Sequence, residues 1–559
     1  MIRSGTSSRL RCASRAESIS VRAGSLLCWA TLCLLSSVPA RAITCNVRTS
    51  PMTAGDIAMA RGDYVKAESL YAGESKSGPE ADRTHAALIR AQLRQSKIAD
   101  AEKDAVAWST AQPKNPWALV AISEVRWREG RPDDTLRTLE TIRTLDYCNP
   151  QAHADLANLY RMRGLYASAN RELTLARKFD PVDAQIEFAW LHLQPPATRL
   201  TEITDLLSNA AWLSADQING LSREKQRLFE APPSGCHLVS PVTSTSIPFR
   251  AMQNGPQAPT YWGLDVGFDG KQRRLKIDTG ASGLLLSKSA ANALHLEPSA
   301  NLKIHGIGDD GDVDSYIAKV HSIKIGGLEF QDCYVQVLGI TPKTMAADDG
   351  LIGGDVFSHF LLTFDFPGRA LKLDPLPTRP DETAGATPTL DTGVAAAFAE
   401  PQDAYRDPSM KDWDAVWRSG HDLIMNVRLN AHGPWRLFLL DTGSSMDLIS
   451  PDAASEVAKV DKGSWTRVAG ISGEVKKTWT TGPMKLYFSH FVAPVQGMVA
   501  IDTSRLAPSA GFEISGLIGT PTLHQFTLSI DYRDNLVHFS YDPSRLTRCV
   551  AGVKFADCY

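Results

Sequence analysis

The sequence predicts a multidomain chain, an all-α repeat solenoid followed by two mainly-β lobes of one design. Three observations predict it. Residues 48 to 183 repeat with a period of 34, and residues of about 246 to 375 and 416 to 543 read as two copies of one unit. A length of 559 residues also exceeds what a single core ordinarily organises.

The helical array comes first. Gly62, Ser96, Gly130 and Gly164 stand 34 residues apart, as do Ala67, Ala101, Thr135 and Ala169. Small residues let paired helices approach, Gly permits the turn between them, and Pro181 ends the last helix of the pattern. Leu156, Ala157, Tyr160, Gly164, Tyr166, Ala169, Ala176 and Pro181 resemble the tetratricopeptide repeat at its expected positions. Such repeats stack into a curved solenoid. The stretch "FAWLHLQPPATRLTEITDLLSNAAWLS" supplies capping helices, so the array is expected over 48–217. Its groove suits a protein or peptide partner; the plainer reading is a spacer. Either way the array should be dispensable for hydrolysis of short peptides.

The two copies declare themselves through "RLKIDTGASGLLLS" and "RLFLLDTGSSMDLIS". In each, a strand-like apolar run ends at an acid, Asp278 or Asp441. A buried carboxylate is costly unless held. Further on, "HGIGDDGD" around Gly306 and Gly308 corresponds to "AGISGE" around Gly470 and Gly473, both Gly-rich as a hairpin requires. Then "GLIGGDVF" from Gly350 matches "GLIGTPTL" from Gly516. A third Asp-Thr-Gly, at Asp391, lies in a Pro-, Ala- and Thr-rich connector without strand, hairpin or Leu-Ile-Gly, and reads as coincidence.

These motifs resemble the aspartic proteases, specifically retropepsin-like bacterial members in tandem. The resemblance implies two acid-protease lobes and a catalytic pair, Asp278 and Asp441. It implies loop support from Thr279, Gly280, Thr442, Gly443 and Ser444, and flaps at Gly306, Gly308, Gly470 and Gly473. No cofactor and no metal is implied. Two close carboxyls share a proton, so the ionised one can deprotonate a water while the other polarises a peptide carbonyl. Ser444 has Ala281 as its counterpart, which predicts that the Ser444 hydroxyl donates to Asp441 and leaves the shared proton on Asp278. Pro521 stands where the first copy has Asp355, so local bracing should differ.

The remaining features set limits. With 59 basic and 62 acidic residues, the net charge of -3 argues against nucleic acid or an anionic membrane as main partner. No His-Glu-x-x-His metal motif and no Gly-x-Ser-x-Gly elbow occurs. Five arginines, a short apolar stretch from Ser25 to Val38 and Ala40-Arg41-Ala42 form an export signal cleaved after Ala42. Periplasmic or secreted localisation follows, with no membrane span after signal removal. Of nine cysteines, six then remain: Cys45, Cys148, Cys236, Cys333, Cys549 and Cys558. They permit three disulfides or several buried thiols, and Cys549 with Cys558 would close a small loop. The expected layout is signal 1–42, array 48–217, linker 218–245, lobe 246–378, linker 379–415, lobe 416–545 and tail 546–559. The expected activity is endoproteolysis of a peptide or protein substrate. The alternative is a non-catalytic scaffold whose lobes clamp peptide without cutting it.

Overall fold

The structure is a computed structural model that describes residues 44–229, 236–252, 261–304, 306–340, 349–380, 390–392, 402–464, 466–504, 506 and 511–545. The expected signal at 1–42 and the Cys549–Cys558 loop lie outside the described residues. The chain divides into two compact units at Cys45, and the second, Asn46–Tyr559, carries every element below.

Eleven helices run from Ala54–Ala60 to Ala215–Phe229 among the described residues. Their period is written into the backbone. Gly62, Ser96, Gly130 and Gly164 all take positive φ, at 80°, 59°, 69° and 74°, which reverses the chain after one helix of each pair. Asn115, Asn149 and Asp183, again 34 apart, cap the next first helices through side-chain oxygens. Ala67, Ala101, Thr135 and Ala169 are buried where the paired helices meet. The last helix, Ala215–Phe229, extends past the expected boundary at 217, because its apolar face continues to Leu221 and Leu228.

Both copies build the same three-strand core around their acid. In the first, Gly350–Gly353 runs parallel to Lys271–Asp278 and antiparallel to Leu284–Leu286. In the second, Gly516–Ile518 runs parallel to Trp435–Leu440 and antiparallel to Leu448–Ile449. A parallel strand flanked on both faces must be apolar, which is why Leu-Ile recurs there.

A six-stranded sheet joins the copies, with Phe360–Asp365 of the first antiparallel to Thr527–Asp531 of the second. Thr363 pairs with Ser529, its own duplicate 166 residues on, and their hydroxyls lie 3.0 Å apart. The pseudo-two-fold axis therefore passes through that pair, and one hydrophobic core runs across both copies.

The expected linkers are partly pinned. His237–Leu238 pairs with Gln331 and Phe330, and Cys236 is disulfide-bonded to Cys333. Cys148 is also disulfide-bonded. In the second linker, Asp403 accepts from the Ser168 amide and hydroxyl, and the Ala404 amide donates to Gly164 O.

The array is fused to the second copy. Trp127 meets Trp417 and Phe512 edge-on, and the Glu513 amide donates to Arg128 O at 3.0 Å. Leu437, Ile514 and Leu517 of the second copy share one apolar cluster with Val125, Leu156 and Met162 of the array.

Candidate active site

Asp278 ends the strand Lys271–Asp278, and Asp441 directly follows Trp435–Leu440. Each acid turns into a loop whose amides face its carboxylate. The Gly280 amide donates to Asp278 Oδ1 at 3.1 Å. The Gly443 and Ser444 amides donate to Asp441 Oδ1 at 2.7 and 3.0 Å.

The threonines tie the loops together. The Thr279 amide donates to Thr442 Oγ1 at 3.1 Å, and the Thr442 amide donates to Thr279 Oγ1 at 3.0 Å. The Thr279 hydroxyl also donates to Leu440 O at 2.8 Å. All of these groups are buried, so each bond matters more than it would in water.

That closure stacks each carboxyl over the opposite glycine. A Cβ on Gly280 would stand 2.8 Å from Asp441 Cγ, and one on Gly443 would stand 2.1 Å from Asp278 Cγ. Any larger residue would drive the acids apart. Both acids line the same cavity. Burial pushes the Asp441 carboxyl well above the usual carboxylate range, and the Asp278 charge pushes it further. Two carboxyls this close and this buried do not both ionise readily, so the pair favours a single negative charge.

Here the structure departs from the sequence expectation. The Ser444 hydroxyl donates to Met446 O at 2.8 Å, not to Asp441. Only the Ser444 amide serves the carboxylate, and an alanine in its place would donate equally well. The expected retention of the proton on Asp278 loses its basis.

The glycine-rich hairpins meet tip to tip. The Gly306 amide donates to Ser472 Oγ at 3.1 Å, the Ser472 amide to Ile307 O at 3.0 Å, and the Asp310 amide to Ser472 O at 2.8 Å. Gly308, at φ 136°, and Gly473, at φ 92°, sit within this contact. A Cβ on Gly308 would strike Ser472 O at 2.1 Å, and one on Gly470 would lie 2.5 Å from Ile307 O. The tips border a cavity of about 540 Å³ that Ile307 and Ile471 line together with the two acids.

The bracing under the loops differs as the Asp355 and Pro521 positions suggest, but sequence reasoning missed Asp447, which braces the second loop. Asp355 accepts from the Ser282 hydroxyl and the Gly283 amide, both at 2.9 Å. Asp447 accepts from the Gly519 amide at 2.8 Å and the Thr522 hydroxyl at 2.9 Å. Burial raises both acids, Asp447 to about 6. Sequence reasoning also passed over Lys276 and His421, which line the cavity. Lys276 Nζ lies 4.0 Å from Asp278 Oδ2 and 5.1 Å from the Tyr261 ring centre. His421 Nε2 is 3.2 Å from both Gly280 O and Asp422 Oδ1. The third Asp-Thr-Gly is docked rather than loose: the Asp391 amide donates to Val356 O, and Thr392 O accepts from the Leu284 amide.

Comparison with known proteins gives one family match. The aspartyl protease family model matches residues 264–356, which include Asp278, Gly306 and Leu351–Gly353. No curated protein matches the chain. Among solved structures, the aspartic proteinase from Irpex lacteus is similar at a TM-score of 0.33 and 11% identity, covering 54% of this chain and 98% of that one.

Proposed function

We propose that the chain is an exported aspartic-type endopeptidase of retropepsin-like design, with its two lobes in tandem and Asp278 and Asp441 as the catalytic pair. The observation that carries this reading is the meeting of two duplicated acids, each packed on the opposite loop's glycine, in one cavity that the two glycine-rich tips also line. The aspartyl protease match over the first copy supports it.

In the proposed reaction a water lies between the carboxyls. Asp278, ionised, takes one proton from it as the oxygen attacks the peptide carbonyl carbon. Asp441 gives its proton to the carbonyl oxygen, which yields a neutral gem-diol. The carbon–nitrogen bond then breaks, Asp278 passes its proton to the departing amine, and a diol hydroxyl returns a proton to Asp441. The pair ends as it began. Substrate reaches the cavity once the hairpin tips part.

The array, read as tetratricopeptide repeats, is the proposed site for a protein or peptide partner. Its support is a cavity of about 430 Å³ lined by Arg90, Glu124, Asp155 and Gln185 from alternate helices, the first of each pair. Arg90 pairs with Glu124 at 2.6 Å, and burial together with the Glu124 charge lifts Asp155 to about 8. Export to the periplasm or medium fits the arginine-rich apolar start and the Cys236–Cys333 disulfide.

The test is cleavage of a peptide library across pH by the whole chain and by Asp278→Asn and Asp441→Asn. Each variant should fold and lose at least about a hundredfold in kcat/KM. Full activity in either would overturn the catalytic pair, and binding without cleavage by the unaltered chain would favour the scaffold reading.

A further inference from the structure

Lys276 stands two residues before Asp278 on the same strand, so both side chains leave the same face. Its neighbours across the sheet, Gly263 and Leu351, bring no charge. Its ammonium lies 4.0 Å from Asp278 Oδ2, over the Tyr261 ring, in a side chain only 20% exposed. The second copy has buried Leu439 at the matching position. Among the described residues, the strand leading to Asp278 thus brings an ammonium to the pair where the strand leading to Asp441 brings leucine.

We propose that Lys276 is a positioning cation that sets the pH window in which the pair of carboxyls carries one proton. This rests on the reading of Asp278 and Asp441 as the catalytic pair.

A cation beside two coupled carboxyls favours every state with more negative charge. It lowers the first titration, which forms the single anion, and the second, which forms the dianion. Its removal therefore moves both limbs of a bell-shaped profile upward, by about one pH unit for an opposite charge at this range. A residue that only fills space would change the height of the bell and leave its limbs in place.

The other charged groups around the pair do not substitute for it. His421 is 3.2 Å from Asp422 Oδ1 and also faces Asp355. Asp422, lifted to about 6 by burial, and buried Asp355 bring negative charge when ionised. Asp391 faces Asp355, and the Tyr532 phenol faces Asp278, Asp355 and Asp422. Arg467 lines the cavity with a side chain 88% exposed, where water screens it.

The experiment compares pH profiles of kcat/KM for the whole chain, Lys276→Met and Lys276→Arg. Lys276→Met should raise both limbs by about one unit, while Lys276→Arg keeps them within about 0.3 unit. A bell unmoved in Lys276→Met, or moved equally in both variants, would overturn the proposal. In parallel, carboxyl titrations are followed by NMR in chains labelled with carbon-13 at aspartate, assigned through Asp278→Asn and Asp441→Asn. If the unaltered chain cuts no peptide, the catalytic reading fails. The titrations still decide Lys276: upward displacement in Lys276→Met supports its role, and coincident curves overturn it.

Discussion

Asp355 and Asp447 brace the equivalent joint of the two copies, each from the opposite side. Asp355 follows the Leu-Ile-Gly strand of the first copy and reaches forward to the loop at Ser282 and Gly283. Asp447 sits in the loop of the second copy and reaches back to Gly519 and Thr522, behind its Leu-Ile-Gly strand. Where one copy has the acid the other has Leu284 or Pro521, so the joint keeps its carboxylate although neither position does.

The Asp447 brace should be visible in stability against pH. Its carboxyl titrates near 3.8 in the unfolded chain and about 6 in the folded one. Between those values the folded state binds a proton that the unfolded state lacks, so this group lowers stability as pH rises from about 4 to 6. The total is about 3 kcal/mol by linkage. Asp447→Asn keeps an acceptor for the Gly519 amide and removes the titration. Urea unfolding of the variant from pH 4 to 7 should show a flatter profile than the parent, and an unchanged slope would refute the assignment.

The two threonines should not be equivalent. Thr279→Val strands two buried partners, the Thr442 amide and Leu440 O, whereas Thr442→Val strands the Thr279 amide. With about 1–3 kcal/mol for each unsatisfied group, Thr279→Val should be the more damaging by roughly that amount. Denaturant midpoints would test the order, and equal losses would contradict it.

Ser444→Ala and Ala281→Ser should leave the acidic limb of the pH profile where it is. The Ser444 hydroxyl is engaged with Met446 O, and the amide that serves Asp441 survives either change. A shift of half a unit in Ser444→Ala would mean that the hydroxyl turns to the carboxylate in solution.

Removal of the array should cost more than the sequence suggests. An isolated 246–545 fragment would expose Trp417, Leu437, Phe512 and Ile514, all buried against helices. Each apolar side chain is worth about 1.5–3 kcal/mol of burial. The fragment should aggregate or melt well below the whole chain; a monomer with the parent melting temperature would show that the contact is dispensable.

Much of this was readable in the residues because duplication makes a sequence its own control. Two acids with the same following pattern mark the paired loops, and the 34-residue spacing marks the reversals that Gly62, Ser96, Gly130 and Gly164 make in the backbone. What was not readable depends on direction in space. The Ser444 hydroxyl had two acceptors within reach, and composition does not say which it faces. Asp355 and Asp447 occupy unmatched positions, so alignment of the copies hides their common task. The contact of Trp127 with Phe512 joins residues far apart in sequence and leaves no periodic trace.

The axis through Thr363 and Ser529 carries a consequence for what the molecule is free to become. A pair of identical subunits must repeat every substitution on both sides of its axis. A lysine beside one acid would be matched by a lysine beside the other, and an acid gained in one loop would appear twice. Placing both halves on one chain lifts that constraint. Leu439 opposite Lys276, Pro521 opposite Asp355 and Ala281 opposite Ser444 are departures that a pair of identical subunits cannot hold. Broken symmetry lets the two sides of one cleft specialise separately, while the threonines on the axis keep them in step.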